Sequence, residues 1–372
     1  MNSFCVSDNY QMLKSTKLIV CSALSLLISV TTLVAFSRKR LYYNAFLRPN
    51  VSVIIPVYNV EDVLEQGLGW VEKQTLKNIE IICINDASTD GSLRILREHA
   101  MKDKRIRIVD HNERKGAGAC RNEGIEMARA PYISFVDADD ILLPYMLEKS
   151  FLLLRHHNAD ILEFGCSKLY TPVVNNVSMY HYNDTLNPVI IDYKEGANPV
   201  SLFGINHAVW YKVYSKDLLI KSKIRFPEEI TIGEDTAFSF LLNTAIKKCV
   251  KDKNLGYLYL RGRKMSVMNV RSYKTQCDSA FYFARTLSDN YYRFKFEGSG
   301  NYVASYMLRI CVGLLKHRAL GKLRCNCSQL VLNEIQNNFL EKYHIVLNDT
   351  RAIEYLAQLD QWAKEHCENK TV

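Results

Sequence analysis

The sequence predicts an α/β protein with a mostly parallel, Rossmann-like sheet and flanking helices, preceded by one transmembrane helix and followed by a helical extension. Three observations carry that expectation. Apolar, β-branched runs alternate four times with helix-period segments between residues 50 and 140, and the connections are short. Leu18–Phe36 is an unbroken stretch of 19 uncharged residues, long enough to cross a bilayer; a signal peptide is the competing reading, disfavoured because no clean small-residue cleavage site stands near Phe36. Beyond residue 270, apolar side chains recur at helical spacing: Phe281 to Leu287, Tyr302 to Leu320 and Ser328 to Phe339. The chain therefore divides into a tail (1–17), an anchor (18–36), a linker (37–49), an α/β domain (50–270) and a helical extension (271–372).

Within the α/β domain the elements follow in order. Val51 to Val57 is a buried β-branched run, closed by Pro56, that opens a loop at Val57-Tyr58-Asn59. Residues 61–73 place Val63, Leu64, Leu68 and Val71 on one helical face. Ile79 to Ile84 is a second strand, ending in Asn85-Asp-Ala-Ser-Thr-Asp-Gly91. A helix carrying Leu93, Ile95 and Leu96 leads to a third strand, Ile106 to Val109. Lys115-Gly116-Ala-Gly118 then starts a helix through Met127, and unpaired N–H groups at such a terminus favour an anion.

The fourth strand (Ile133, Phe135, Val136) runs straight into Asp137, Asp139 and Asp140. That places three carboxylates at a strand's carboxyl end, where open α/β sheets bind ligands. Carboxylates this close repel one another unless a cation holds them, and hard oxygen ligands suit Mg2+ or Mn2+. A divalent ion at such a sheet steadies a diphosphate, so the chain is expected to do nucleotide chemistry.

Four motifs together give a resemblance. Ile-Ile-Pro-Val-Tyr-Asn59, Asn85-Asp-Ala-Ser-Thr-Asp-Gly91, Gly116 to Ala-Cys-Arg-Asn-Glu-Gly124 and Phe135-Val-Asp-Ala-Asp-Asp140 resemble the family-2 glycosyltransferases. The resemblance covers roughly residues 50–270 and implies the GT-A fold, a nucleotide-sugar donor (a UDP-sugar) and an inverting transfer. It also implies roles. Pro56, Val57 and Tyr58 line the base, and Asp86 accepts the ring N–H. Lys115 and Gly116 lie against the donor, and Arg121 either joins them or is an ion-paired structural arginine. Asp139 binds the metal. Asp137 binds the ribose or the metal's water shell, with Ala138 between them and Asp140 orienting both. Further on, Arg225-Phe-Pro227 followed by Glu234-Asp235 resembles the family's acceptor segment, which makes Asp235 the general base and Glu234 its support. Lys212, in Trp210-Tyr-Lys-Val-Tyr214, resembles a lysine that meets a phosphate or the acceptor. Arg261-Gly-Arg-Lys-Met-Ser266 is similar to the family's basic loop, though its spacing from Tyr259 departs from the usual form.

Each acid also has a plainer explanation. Asp90 before Gly91 caps a turn, and Glu234-Asp235 suit the first turn of an apolar helix. Three aspartates at one strand end exceed what capping requires. The chain lacks the Gln-x-x-Arg-Trp signature and the multiple spans of processive synthases, so single-sugar addition to a saccharide or lipid-linked acceptor is expected. The rival from another class is a catalytically silent, membrane-tethered scaffold of the same fold. A nicotinamide-linked oxidoreductase is disfavoured because no Gly-x-Gly-x-x-Gly follows the first strand.

Composition narrows the setting. The net charge of +9 suits anionic substrates or lipid surfaces, and no nucleic-acid motif accompanies it. Lys14 and Lys17 precede the anchor while Arg38-Lys-Arg40 follow it, so one extra charge puts the catalytic part on the cytoplasmic side. The 11 cysteines include no Cys-x-x-Cys pair and read as scattered reduced thiols. On that reading the sequons at Asn176 and Asn348 arise by chance.

Overall fold

The computed structural model describes residues 48–169, 183, 185–194, 208–260, 272–295, 298–316 and 321–365. The chain clusters into two units, Met1–Pro49 and Asn50–Val372, and the described elements belong to the second. The proposed anchor at residues 18–36, the sequon at Asn176 and the basic loop at 261–266 lie outside the described residues. Among the described helices none is long and apolar enough to cross a membrane.

The amino-terminal half forms as its patterning requires. Strands β1 (Val51–Val57), β2 (Ile79–Asn85), β3 (Ile106–Asp110) and β4 (Tyr132–Phe135) alternate with helices α1 (Leu64–Glu72), α2 (Ser92–Lys102) and α3 (Ala117–Met127). These strands lie in the order β3-β2-β1-β4, all parallel, with Val51 opposite both Ile79 and Tyr132. Pro56 stays inside β1, because pairing with β4 stops at Ile54 and leaves one edge free of a donor requirement. Alternate residues of β1 enter opposite cores: Val51, Val53, Ile55 and Val57 pack on one face, Ile54 on the other.

Beyond β4 the sheet departs from the mostly parallel expectation. After the two-residue β5 (Ile141–Leu142), α4 (Met146–His157), β6 (Ile161–Leu169) and β7 (Val189–Asp192) comes β8 (Lys212–Ser215), which joins β4 antiparallel. It is followed by α5 (Lys216–Ser222), α6 (Glu234–Leu242) and the 13-residue β9 (Lys248–Leu260), which pairs with β5, β6 and β7. The full order is β3-β2-β1-β4-β8-β6-β9-β5, with β7 on β9. Four of the eight strand pairings are antiparallel. An antiparallel neighbour needs no right-handed crossover connection, so strands as short as β8 and β5 can join the sheet there.

Four helices follow: α7 (Tyr273–Asp289), α8 (Ser299–Leu315), α9 (Gly321–Ile335) and α10 (Thr350–Glu365). Their apolar faces (Phe283, Val303, Met307, Val331, Leu359) merge with Ile125 of α3 and Phe238 of α6 into one core. Helix α10 lies within the stretch expected to be helical, beyond the three apolar runs that carry that expectation. The reduced-thiol expectation fails at two positions, because Cys277 of α7 and Cys327 of α9 form a disulfide with Cα atoms 5.4 Å apart. A 50-residue separation carries no local signature; only the packing of α7 on α9 brings the sulfurs together. Cys83, Cys120, Cys249 and Cys311 are buried free thiols, as expected.

Candidate functional site

Asp137, Asp139 and Asp140 lie just past β4, on a turn pressed against α1. A Cβ on Gly67 of α1 would stand 2.2 Å from the carbonyl oxygen of Ala138, so only glycine lets that helix support the turn. Within the turn the three acids differ. Asp140 is fully buried and its carboxylate is held twice, by Tyr257 Oη (2.8 Å) and Leu260 N (2.8 Å). Burial, then the neighbouring Asp139 and Asp137 carboxylates, push the Asp140 carboxyl well up. Tyr257 Oη also accepts from Asp137 N at 3.2 Å, so one hydroxyl ties the first and last acids together. Asp137 keeps 28% of its side chain exposed, and Asp139 is half-buried. Asp137 and Asp139 are thus the more accessible acids while Asp140 braces the turn, and hard carboxylate oxygens of this kind fit Mg2+ or Mn2+.

Asp86, at the end of β2, is 3% exposed, and its two oxygens accept from Lys115 N (2.7 Å) and Gly116 N (2.8 Å). The carboxylate therefore fastens the loop that starts α3, where Gly116 takes φ 95°. His111 joins it, with Nδ1 3.3 Å from Asp86 and Nε2 2.7 Å from Glu123. Asp86, His111 and Cys120 bring ligand atoms within 4.8 Å of one another, but this cluster is closed by its own hydrogen bonds. Burial pushes the Cys120 thiol up to about 12, which keeps it protonated and a poor metal ligand.

Around this pocket Val57 is buried and acts through its carbonyl, which accepts from Asp86 N at 2.8 Å. Pro56 and Tyr58 are half-buried, and Arg114 lies 4.2 Å from the Tyr58 ring centroid. Lys115 is exposed beside Gly116. Asp90 accepts from Ser92 N and Glu61 N, the turn-capping role expected of it.

The structure brings Glu234 and Asp235 to the same place from the opposite half of the sheet. They open α6 behind Gly233, whose φ of 93° turns the chain inward. Arg121, 5% exposed on α3, donates from Nη1 to Glu234 Oε1 (2.7 Å) and from Nη2 to Asp137 Oδ1 (2.9 Å). Its fork is therefore occupied by two carboxylates. Asp235 Oδ1 accepts from Thr236 N at 2.7 Å. Burial, then the Glu234 charge, pushes the Asp235 carboxyl up to about 7 against the pull of Arg121. Asn122, next to Arg121, holds the preceding loop by bonding both Phe226 N and Phe226 O at 2.9 Å. Lys212 is 5% exposed in β8, with Nζ 3.9 Å from Glu163, and burial lowers its pKa despite that partner.

Three residues that brace the site escaped sequence reading. Gly67 left a signal, a glycine inside an apolar helix. Tyr257 and His111 left none, because their partners are distant in sequence.

Comparison with known proteins agrees with this architecture. The family model "Glycosyl transferase family 2" matches residues 52–207. An uncharacterized glycosyltransferase of Bacillus subtilis, EpsJ, is 32% identical over 193 residues, covering 51% of this chain and 55% of that protein. The poly(ribitol-phosphate) beta-glucosyltransferase of Bacillus spizizenii is 31% identical over 225 residues, covering 59% of this chain and 33% of that protein. The first of these relatives is thus spanned over about half its length, the second over a third. Among solved structures, S. aureus TarS 1–349 in complex with UDP-GlcNAc superposes with a TM-score of 0.65 at 17% identity, covering 84% of this chain and 89% of that one. That likeness shows a shared GT-A-like fold.

Proposed function

We propose that the chain, whose residues 52–207 match the model of glycosyl transferase family 2, is a member of that family that moves one sugar from a nucleotide-sugar donor, a UDP-sugar, to a hydroxyl of a saccharide or lipid-linked acceptor. The observation that carries this reading is the meeting of two acid sets, Asp137–Asp139 and Glu234–Asp235, across a single buried arginine. In the proposed reaction the acceptor oxygen attacks the anomeric carbon as the bond to the diphosphate oxygen breaks, inverting that carbon. The acceptor proton passes to Asp235, whose carboxyl at about 7 is matched to working pH. Asp137 and Asp139 would hold Mn2+ or Mg2+, which would supply positive charge against the leaving diphosphate. Tyr58, Pro56 and the carbonyl of Val57 frame the base, Asp86 accepts its ring N–H, and Lys115 and Gly116 face the phosphates.

Residues 18–36 are proposed as a single membrane anchor. The side of the membrane was set by one extra positive charge, and the Cys277–Cys327 bond weighs against the cytoplasm, where thiols are kept reduced. Alkylation of protein from intact cells, before and after reduction, reads that bond directly.

The functional test is a screen of nucleotide sugars, with Mn2+ or Mg2+ and candidate saccharide acceptors, for release of free nucleoside diphosphate. Release that needs both the ion and an acceptor supports transfer. Donor binding without any turnover makes the chain the silent scaffold.

A further inference from the structure

Each terminal nitrogen of Arg121 is engaged by a carboxylate. Nη1 is 2.7 Å from Glu234 Oε1 and Nη2 is 2.9 Å from Asp137 Oδ1. Its guanidinium carbon sits 5.4 Å from the Phe226 ring centroid, and Nε is buried with no partner among the described residues. The neighbouring groups are also fixed. Asn122 clamps Phe226, Tyr257 holds the backbone of Asp137, and a Cβ on Gly118 would already touch Pro227 O at 3.0 Å. The arginine is thus wedged between the end of β4 and the start of α6, in contact with one acid from each.

We infer that Arg121 is a positioning residue that sets the general base in register with the donor-holding acid, linking the two halves of the site. The inference rests on the proposed transfer reaction and deepens it. Asp137 and Glu234 are carried by elements that do not pair with each other: β4 ends before the first, and a loop from α5 delivers the second. A planar fork fixes both distances at once, which a lysine cannot do with its single ammonium. Glu234 is bonded to Asp235 through the chain at the first turn of α6, so holding the Glu234 carboxylate also fixes where Asp235 points. A change in Asp137 when donor enters must therefore be felt at the base, and the reverse must hold equally.

The test uses the full chain, UDP with Mn2+ as the binding probe, and whichever nucleotide sugar the wild type turns over. Arg121→Lys is expected to hold UDP–Mn2+ within about threefold of wild type. Its kcat should fall about 10²-fold, the scale on which a base misplaced by an ångström costs rate. Glu234→Gln, which keeps the arginine, should lose kcat without losing UDP affinity. The double variant should be no worse than the poorer single one, because both break the same link. A parallel loss of UDP affinity and kcat in Arg121→Lys would instead make Arg121 a donor ligand and overturn the inference. So would multiplying losses in the double variant, or wild-type kcat in both single variants. If Arg121→Lys does not fold, Glu234→Gln alone decides, with unchanged kcat counting against the link. A wild type that turns over no sugar refutes the transferase reading itself, a result separate from any of these.

Discussion

The half of the sheet from β1 to β4 and the half from β5 to β9 hold their functional side chains by different means. In the first, each acid or loop sits at the carboxyl end of its own strand, and parallel pairing with neighbouring strands sets its position. In the second, the strands change direction, and Glu234 and Asp235 depend on a loop anchored by Asn122 and Arg121 of the other half. The difference teaches that strand order places the proposed donor-end acids, with braces from β9 added afterwards, whereas the proposed base end is placed by long-range polar contacts alone. Loss of a donor-end acid should therefore remove binding and turnover together. Loss at the base end should remove turnover alone.

The largest expected effect is at the donor end. Asp139→Asn should lower ion-stimulated turnover by about 10⁴-fold, the several kcal/mol that a bound divalent ion supplies. It should also weaken UDP binding in the presence of Mn2+. Ion titration of turnover checks this, and unchanged activity in excess chelator would remove the metal from the donor end. At the base end, Asp235→Asn should cut transfer by roughly 10²–10⁴-fold while UDP affinity holds. Calorimetry with UDP and Mn2+ on the same sample separates the two, and a matched fall in affinity would erase the contrast between the halves.

The braces should show smaller effects. Cys277→Ser, in the helical layer, should cost about 2–4 kcal/mol of stability in denaturant titration and leave UDP affinity alone. Tyr257→Phe leaves the buried Asp140 carboxylate short of one donor and should cost about 1–3 kcal/mol. Unlike the cysteine change, it should also weaken Mn2+ binding, because the same hydroxyl holds Asp137 N. The mildest test is pH. A base at Asp235, as proposed, works only when ionised, and its carboxyl lies at about 7, so kcat should rise with pH through that value. Below it the loss should be about tenfold per pH unit, and Asp235→Asn should flatten that limb. A limb near the ordinary aspartate range would place the base elsewhere, with Glu228 and Glu229 the next candidates.

Legibility in the sequence follows the same division. The strands β1 to β4 and helices α1 to α3 were readable because period-2 and period-3.6 patterns are local, and the acids at their ends stand in runs such as Val136-Asp-Ala-Asp-Asp140. Glu234 and Asp235 were found through their resemblance to a family segment, yet nothing in the run states that Arg121 would hold them. Lys212 was read as facing a ligand; its cross-strand partner Glu163 and its burial belong to a register no single stretch encodes. The antiparallel strands escaped because β8 is four residues long and β5 two. The disulfide escaped because its cysteines meet only through helix packing.

The grip of Tyr257 and Leu260 on Asp140 bears on how far this domain can be treated as an interchangeable module. The stretch that matches the family ends at residue 207. The hydroxyl and the N–H that keep its last aspartate in place come from the far end of β9. A chimera joined at the family boundary would carry the Asp137–Asp140 turn into a foreign host without its braces. It would bury Asp140 with no donor and Arg121 with one carboxylate missing. The shortest stretch that keeps the turn and its braces together therefore runs from Asn50 through Leu260, and shuffling among relatives would have to inherit the turn and β9 together.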